Sequence, residues 1–278
     1  MESPLKGALE MHVHTSPDVT PRRCSDIELA KRLYAAGFGG ALIKCHYAET
    51  ASRAALLNEQ FPTMKFLGGV VLNNSLGGLN PEAVAACGKM GGKIAWFPTM
   101  DSYSYQEYQK KSKPETDLNG RIYVLGDDGK LKPEGLAVIE MAKKYSMMVG
   151  TGHISAKEGL EVVKACAKLG VQAVVTHADN PADIYTVQQQ VEAVSLGAVI
   201  EHCYFTVYYN RTPIESITEQ IHAVGVENVI LSTDFGQVKS PYSDEGLKEF
   251  AQRLSAQGFS DEELYSMFNA TPKRLLGI

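Results

Sequence analysis

His12 and His14 stand one residue apart in MHVH, His153 lies in GTGHIS, His177 in VTHAD and Asp234 in LSTDFG. Each falls where an apolar run gives way to polar residues. Side chains alternate along a strand with a period of two, so residues 12 and 14 share a face and can chelate one ion. Neutral imidazole with carboxylate is also the donor set of a catalytic divalent ion such as zinc, provided one coordination position stays open for water. Hydrolysis is therefore the first chemistry these residues suggest. An isolated H-x-H arises by chance in many chains, and His153 or His177 taken singly is more often a satisfied polar histidine than a ligand. The weight lies in the constellation.

Further polar residues fall near these five. Lys44, in LIKCHY, precedes His46 by two and shares its face if the strand continues. A buried lysine needs a partner to stay charged, so Lys44 either pairs with Glu201 or Asp234 or orients a substrate carboxylate or phosphate. His46 is a further ligand or a hydrogen-bond donor to substrate. Arg22 and Arg23, in the loop TSPDVTPRRCSD, are suited to bidentate contact with an anionic substrate. Glu201 ends an apolar run and can support a ligand or touch substrate, while His202 should face the opposite way. His222 reads as surface, and Trp96 and Phe97 as packing.

The elements that must position these groups are legible from periodicity. Apolar or β-branched runs at 8–13, 39–45, 65–72, 93–98, 147–151, 173–176, 198–201 and 229–233 read as strands, with helical periods between them. Ser25 with Glu28 and Ser155 with Glu158 read as capping boxes; Asn80-Pro81 and Thr212-Pro213 place a capping side chain before a first-turn proline. Glycines such as Gly37, Gly91, Gly170 and Gly225 fall near helix ends. Eight β/α units in roughly 250 residues predict one α/β domain over 1–278, a (β/α)8 TIM barrel. The rival is an open doubly wound sheet. The barrel is preferred because the polar residues follow the carboxyl ends of strands one, two, five, six, seven and eight, which converge on one mouth only if the sheet closes. GFGGAL at 37–42 precedes a strand, so its glycines cannot present a helix terminus to a dinucleotide.

One stretch, 101–132, breaks the rhythm. It is polar and tyrosine-rich, with Asp128-Gly129 as a hairpin turn between IYVL and KL. It reads as an insertion after strand four, either a lid bringing Tyr103 or Tyr105 to substrate or a solvated loop.

Bulk properties narrow the partners. The net charge of -5 is spread without a long run of one sign, which favours neither nucleic acid nor an anionic membrane. A small-molecule substrate is expected. No cationic leader opens MESPLKGALEMHVH, and no segment reaches the ~18 uninterrupted apolar residues of a membrane span. A soluble, cytoplasmic protein is the expectation. Cys24, Cys45, Cys87, Cys166 and Cys203 are odd in number and form no C-x-x-C pair, so they read as reduced thiols, Cys45, Cys166 and Cys203 within apolar runs.

The H-x-H after strand one, the single histidines after strands five and six and the aspartate after strand eight resemble the amidohydrolase superfamily of metal-dependent hydrolases. NATPKRLLGI at the end, from Asn269 to Ile278, is similar to an ending common there. The resemblance spans nearly the whole chain and is almost silent on substrate. It implies that His12, His14 and Asp234 hold the more buried of one or two divalent ions, zinc first, with manganese or nickel as alternatives. It implies that His153 and His177 hold a second ion or a substrate oxygen, and that Asp234 is the general base. His177 or Lys44 would then face the developing oxyanion. It also carries an expectation of a homo-oligomer. There is one departure: the carboxylated lysine or glutamate usual at the end of strand four is absent from WFPTM, with only Asp101 beyond it. Lys44, if carbamylated, is a displaced replacement.

The leading expectation is hydrolysis of a small amide, lactone, cyclic imide or phosphoester. Decarboxylation by a single-metal lyase and a non-catalytic ligand-binding barrel are the alternatives.

Overall fold

A computed structural model describes residues 3–116 and 119–278. Met1, Glu2 and, within the polar insertion, Asp117 and Leu118 lie outside the described residues. Eight parallel strands form in chain order: β1 (Leu9–Val13), β2 (Gly40–Ile43), β3 (Lys65–Val71), β4 (Ile94–Trp96), β5 (Met148–Gly150), β6 (Ala173–Val175), β7 (Val199–Cys203) and β8 (Val229–Ser232). Each pairs with the next, with helices on the outside, the arrangement of a (β/α)8 barrel. The strands are apolar almost throughout because both faces are covered. Leu42, Ile94, Met148, Val199 and Ile230 fill the interior. Their neighbours in sequence, such as Ile43, Ala95, Val149, Ile200 and Leu231, pack under the helices.

The ring closes beyond the ends of β1 and β8. Asp234 N–H donates to the His12 carbonyl and His14 N–H to the Phe235 carbonyl, both at 2.8 Å, and Val13 bridges Phe235 in parallel. These bonds exclude the open-sheet rival. They also place His12, His14 and Asp234 on one seam, because closure itself brings the first and last strands together. The register of β1 shifts between Glu10 and Val13, so the strand is locally irregular where the histidines begin.

Most helix starts agree with the sequence reading. Ser155 and Glu158 form a complete capping box, and Asn80 caps the helix Pro81–Lys89. Of the Ser25–Glu28 box only the Ser25 half forms. Thr212 is a correction: its hydroxyl donates to the Asp179 carbonyl at 2.9 Å, and Pro213 occupies the N-cap of the helix Ile214–Val224. The insertion is also corrected. It contains a helix, Tyr103–Lys110, and the expected hairpin is reduced to a single antiparallel bridge between Leu125 and Leu131 around the turn at Asp128-Gly129. Alternating Tyr and Ser in YSYQEY concealed a helix whose start is set by the Ser102 cap. No helix among the described residues is long and apolar enough to cross a membrane.

Candidate metal centre

Three donor atoms meet on the closing seam. Asp234 Oδ1 lies 3.2 Å from His12 Nε2 and 3.1 Å from His14 Nε2, with both imidazoles buried. The ligand atoms of His12, His14 and Asp234 all fall within 4.8 Å of one another. Two nitrogens and a carboxylate oxygen at one point are a donor set for a divalent ion with a position left open. The backbone is bent to achieve this. Asp234 has φ +54° and His177 φ +32°, conformations that L residues seldom adopt and that concentrate at functional sites.

The atoms behind the donors fit the same purpose. His12 Nδ1 lies 3.1 Å from Glu201 Oε2, so the carboxylate accepts its proton and orients the ring with Nε2 toward Asp234. His177 also faces a carboxylate, with Nδ1 3.1 Å from Asp183 Oδ2 in ion-pair contact, and among the described residues neither of its buried ring nitrogens has a partner in hydrogen-bond geometry. Nε2, which has no carboxylate beside it among the described residues, is the nitrogen that asks for a ligand. A carboxylate behind a ligating histidine is commonly worth 10–100-fold in metal affinity. Glu201→Gln should therefore weaken zinc binding by about that factor, read by competition with a chelator; unchanged affinity would show that Glu201 does not orient His12.

Glu10 was not singled out from the sequence, yet it ties the seam. Its carboxylate accepts from His12 N–H (3.0 Å), Thr233 N–H (3.1 Å) and the Thr233 hydroxyl (2.7 Å). Burial pushes its carboxyl up to about 7 against these three bonds. Glu10→Ala leaves two buried N–H groups unpaired, each costing ~1–3 kcal/mol, so the melting temperature should fall by several degrees; an unchanged midpoint would contradict this role.

Charge is strongly redistributed. Burial and Lys44 press His12 down, but Asp234 and Glu201 outweigh them and hold it up at about 9. Burial takes His14 down to about 3. Although burial opposes it, the two histidines hold Asp234 well below the carboxylate range. In the metal-free protein His12 thus carries a proton at neutral pH that an incoming ion must displace. Uptake of zinc at pH 7 should release about one proton, and affinity should rise with pH up to about 9. A raised folded pKa stabilises the metal-free fold fully below 6.5 and loses that contribution as pH rises through about 9. Indicator-dye titration and pH-dependent melting check the two signs; pH-independent uptake would contradict them.

The remaining histidines line the mouth beside this centre. The His153 and His177 rings lie 4.8 Å apart, His177 lies 5.8 Å from His12, and His46 stacks on His14 at 4.7 Å. Lys44 is wholly buried, its Nζ 3.1 Å from His12 Nε2 and 5.2 Å above the Trp96 ring. It makes no ion pair with Glu201 or Asp234 among the described residues, against one expectation; its Nζ lies instead against His12 Nε2, the nitrogen that would bind the ion. Burial lowers its pKa.

Other expectations need correction. Tyr103 stacks on Tyr123 at 4.7 Å beneath Arg121, while Tyr105 reaches the site, 4.8 Å from His153. Two residues on a helix differ by about 200° in direction, which the loop assignment could not show. Arg23 is exposed and lies over Tyr242, whereas Arg22 is anchored by Asp18 at 2.7 Å close enough to oppose protonation of His14. At the end of β4, Thr99 stands toward His46, and Asp101 turns away to accept from Asn74 N–H. His202 does face away, onto Asp179 at 3.0 Å, and His222 is exposed against Phe259. All five cysteines are free and buried. Asp183 carried no signal in ADNPAD, because its pairing with His177 depends on how that loop folds back. A mostly apolar groove of about 780 Å³ near Pro4, Phe38, Lys248 and Leu264 lies away from all of these groups.

Solved structures share this architecture over nearly the whole chain. An amidohydrolase from Pseudomonas aeruginosa is 12% identical with a TM-score of 0.64, covering 99% of this chain and 98% of its own. A phosphotriesterase homology protein from Escherichia coli, complexed with phosphate in its active site, is 15% identical with a TM-score of 0.64, covering 97% and 98%. An enamidase described as a member of the amidohydrolase superfamily is 16% identical with a TM-score of 0.57, covering 99% of this chain and 68% of that one. At these identities the likeness is one of fold, and the fold is the one the sequence resemblance implies. No curated protein matches the sequence. A family model matches residues 7–201, from the strand of His12 and His14 to Glu201, and the chain belongs to that family, described as a family of unknown function, DUF6282.

Proposed function

We propose that this protein is a metal-dependent hydrolase of a small anionic substrate. The observation that carries the reading is the convergence of Asp234 Oδ1 on the Nε2 atoms of His12 and His14. A divalent ion held there, zinc first, would supply Lewis acidity and bring the pKa of a water from ~16 to about 7. His12, His14 and Asp234 would hold it, with His153 and His177 available to a second ion or to a substrate oxygen.

The chain's own groups divide the remaining work. Asp234, kept ionised, accepts the proton of the attacking water and returns it to the leaving group. His177, steadied by Asp183, and Lys44 stabilise charge developing on the substrate oxygen. Arg22 and His46 meet the anionic end of the substrate, Glu201 aligns His12, and Tyr105 covers the mouth from the insertion. The Escherichia coli protein of like fold is complexed with phosphate in its active site, which supports reading this substrate as anionic.

The absence of a carboxylate or lysine where Thr99 stands favours keeping the lyase reading in the test. Chelator-stripped protein reloaded with zinc, manganese or nickel would be screened against amides, lactones, cyclic imides and phosphoesters, and against carboxylates for carbon dioxide release. Metal-dependent turnover of a hydrolysable class is expected. Carbon dioxide release alone would replace hydrolysis by lyase chemistry, and inactivity of fully loaded protein on every class would leave a binding barrel.

A further inference from the structure

The hydrogen bonds behind His46 determine which of its nitrogens carries the proton. The chain begins at Asn73, just past β3. Its Oδ1 accepts from Thr99 N–H at 2.9 Å and Asp101 N–H at 3.3 Å, so the backbone fixes the direction of the amide. Its Nδ2 therefore donates, to the His46 carbonyl at 2.9 Å and to Thr99 Oγ1 at 2.7 Å. Thr99 is wholly buried, and its hydroxyl proton has one acceptor within reach among the described residues, His46 Nδ1 at 2.8 Å. If Nδ1 donated instead, Thr99 Oγ1 would accept twice and bury its own proton unpaired, at a cost no other contact offsets. Nδ1 is thus an acceptor, and in neutral imidazole the proton sits on Nε2. That nitrogen has no partner among the described residues, and its half-buried ring lies beside His14 and His153.

We propose that the Asn73–Thr99 pair locks His46 as its Nε2–H tautomer, making it a hydrogen-bond donor to an acceptor oxygen of the substrate (carboxylate, carbonyl or phosphoryl) and not a metal ligand. A pyridine-type nitrogen is needed to bind a metal, and His46 keeps its own turned toward Thr99. The proposal rests on the reading of the mouth as the substrate site, but its first measurement does not depend on activity. Asn73 and Thr99 are positioning residues.

The full chain, labelled with nitrogen-15 at histidine and loaded with zinc, would be examined by long-range proton–nitrogen correlation, with His46 assigned through His46→Gln. An unprotonated Nδ1 and a protonated Nε2 are expected, with and without zinc. An Nδ1–H tautomer, or loss of the Nε2 proton on adding zinc, would overturn the assignment. Thr99→Ser should keep the tautomer and Thr99→Val should release it to a mixture, with folding checked by circular dichroism; a single unchanged tautomer in Thr99→Val would show that the pair does not set it. If Thr99→Val does not fold, retention in Thr99→Ser and the wild-type spectrum decide. Inorganic phosphate is then titrated as the probe. It should shift the His46 Nε2–H resonance, bind roughly tenfold more weakly to His46→Leu, and recover in His46→Gln. Phosphate that binds without sensing His46 would sink the donor role even where the tautomer holds. Failure to take up zinc would count against the metal reading alone.

Discussion

Asp234→Asn should lower metal-dependent turnover by about 10²–10⁴-fold, the range ascribed to general acid-base catalysis, while the barrel stays folded. The amide has the volume of the carboxylate and preserves the Asp234 N–H bond to the His12 carbonyl that closes the ring. Asparagine also tolerates the φ of +54° better than most residues. It loses the basic oxygen, and His12 and His14 lose the charge each faces at 3.2 and 3.1 Å. His12 should then titrate lower than about 9, since Asp234 is the largest of the influences that raise it. Measuring kcat/KM on whichever substrate the screen identifies, together with bound metal and far-ultraviolet circular dichroism, separates catalysis from folding. Full turnover in a metal-replete variant would remove Asp234 from the mechanism.

Lys44→Met carries the second large expected effect, in two opposed directions. A wholly buried ammonium that makes no ion pair with a carboxylate within the described residues costs free energy, and an apolar chain of similar length relieves it. The variant should unfold at the same temperature as wild type or higher. If Lys44 faces the developing charge on the substrate, turnover should nevertheless fall by ~10²–10³-fold, as when an oxyanion-stabilising donor is removed. A structural ion pair would give the reverse pattern, with stability reduced by ~3–5 kcal/mol and the chemistry of correctly folded protein unaffected. Calorimetry and steady-state kinetics on the same preparation distinguish the two.

The strands were legible because each is an apolar run covered on both faces, and all eight fall where periodicity places them, with ends moved by one or two residues. His12, His14 and Asp234 were legible because they leave those runs at the carboxyl ends, where a closed barrel brings them together. What lay beyond periodicity is set by loops. Asp183, Asn73 and Thr99 make their contacts only after the loops turn back, and no spacing records that. Glu10 sits inside the first strand, where an acidic residue reads as an interruption and turns out to hold two strands. Tyr105 was named beside Tyr103, but only the helix Tyr103–Lys110 decides which ring reaches His153. Lys44 lies at the mouth, but which of its several possible partners it meets depended on the fold, and among the described residues its Nζ lies against His12 Nε2 and pairs with neither Glu201 nor Asp234.

The most direct test of the central claim is elemental analysis of the chain purified without chelator or added metal, repeated for His14→Ala. A divalent ion at about one or two per chain, largely lost in the variant, is the predicted result. Metal-free wild-type protein that takes up no zinc, manganese or nickel on titration would contradict it, and the histidines would then be polar lining of a barrel mouth.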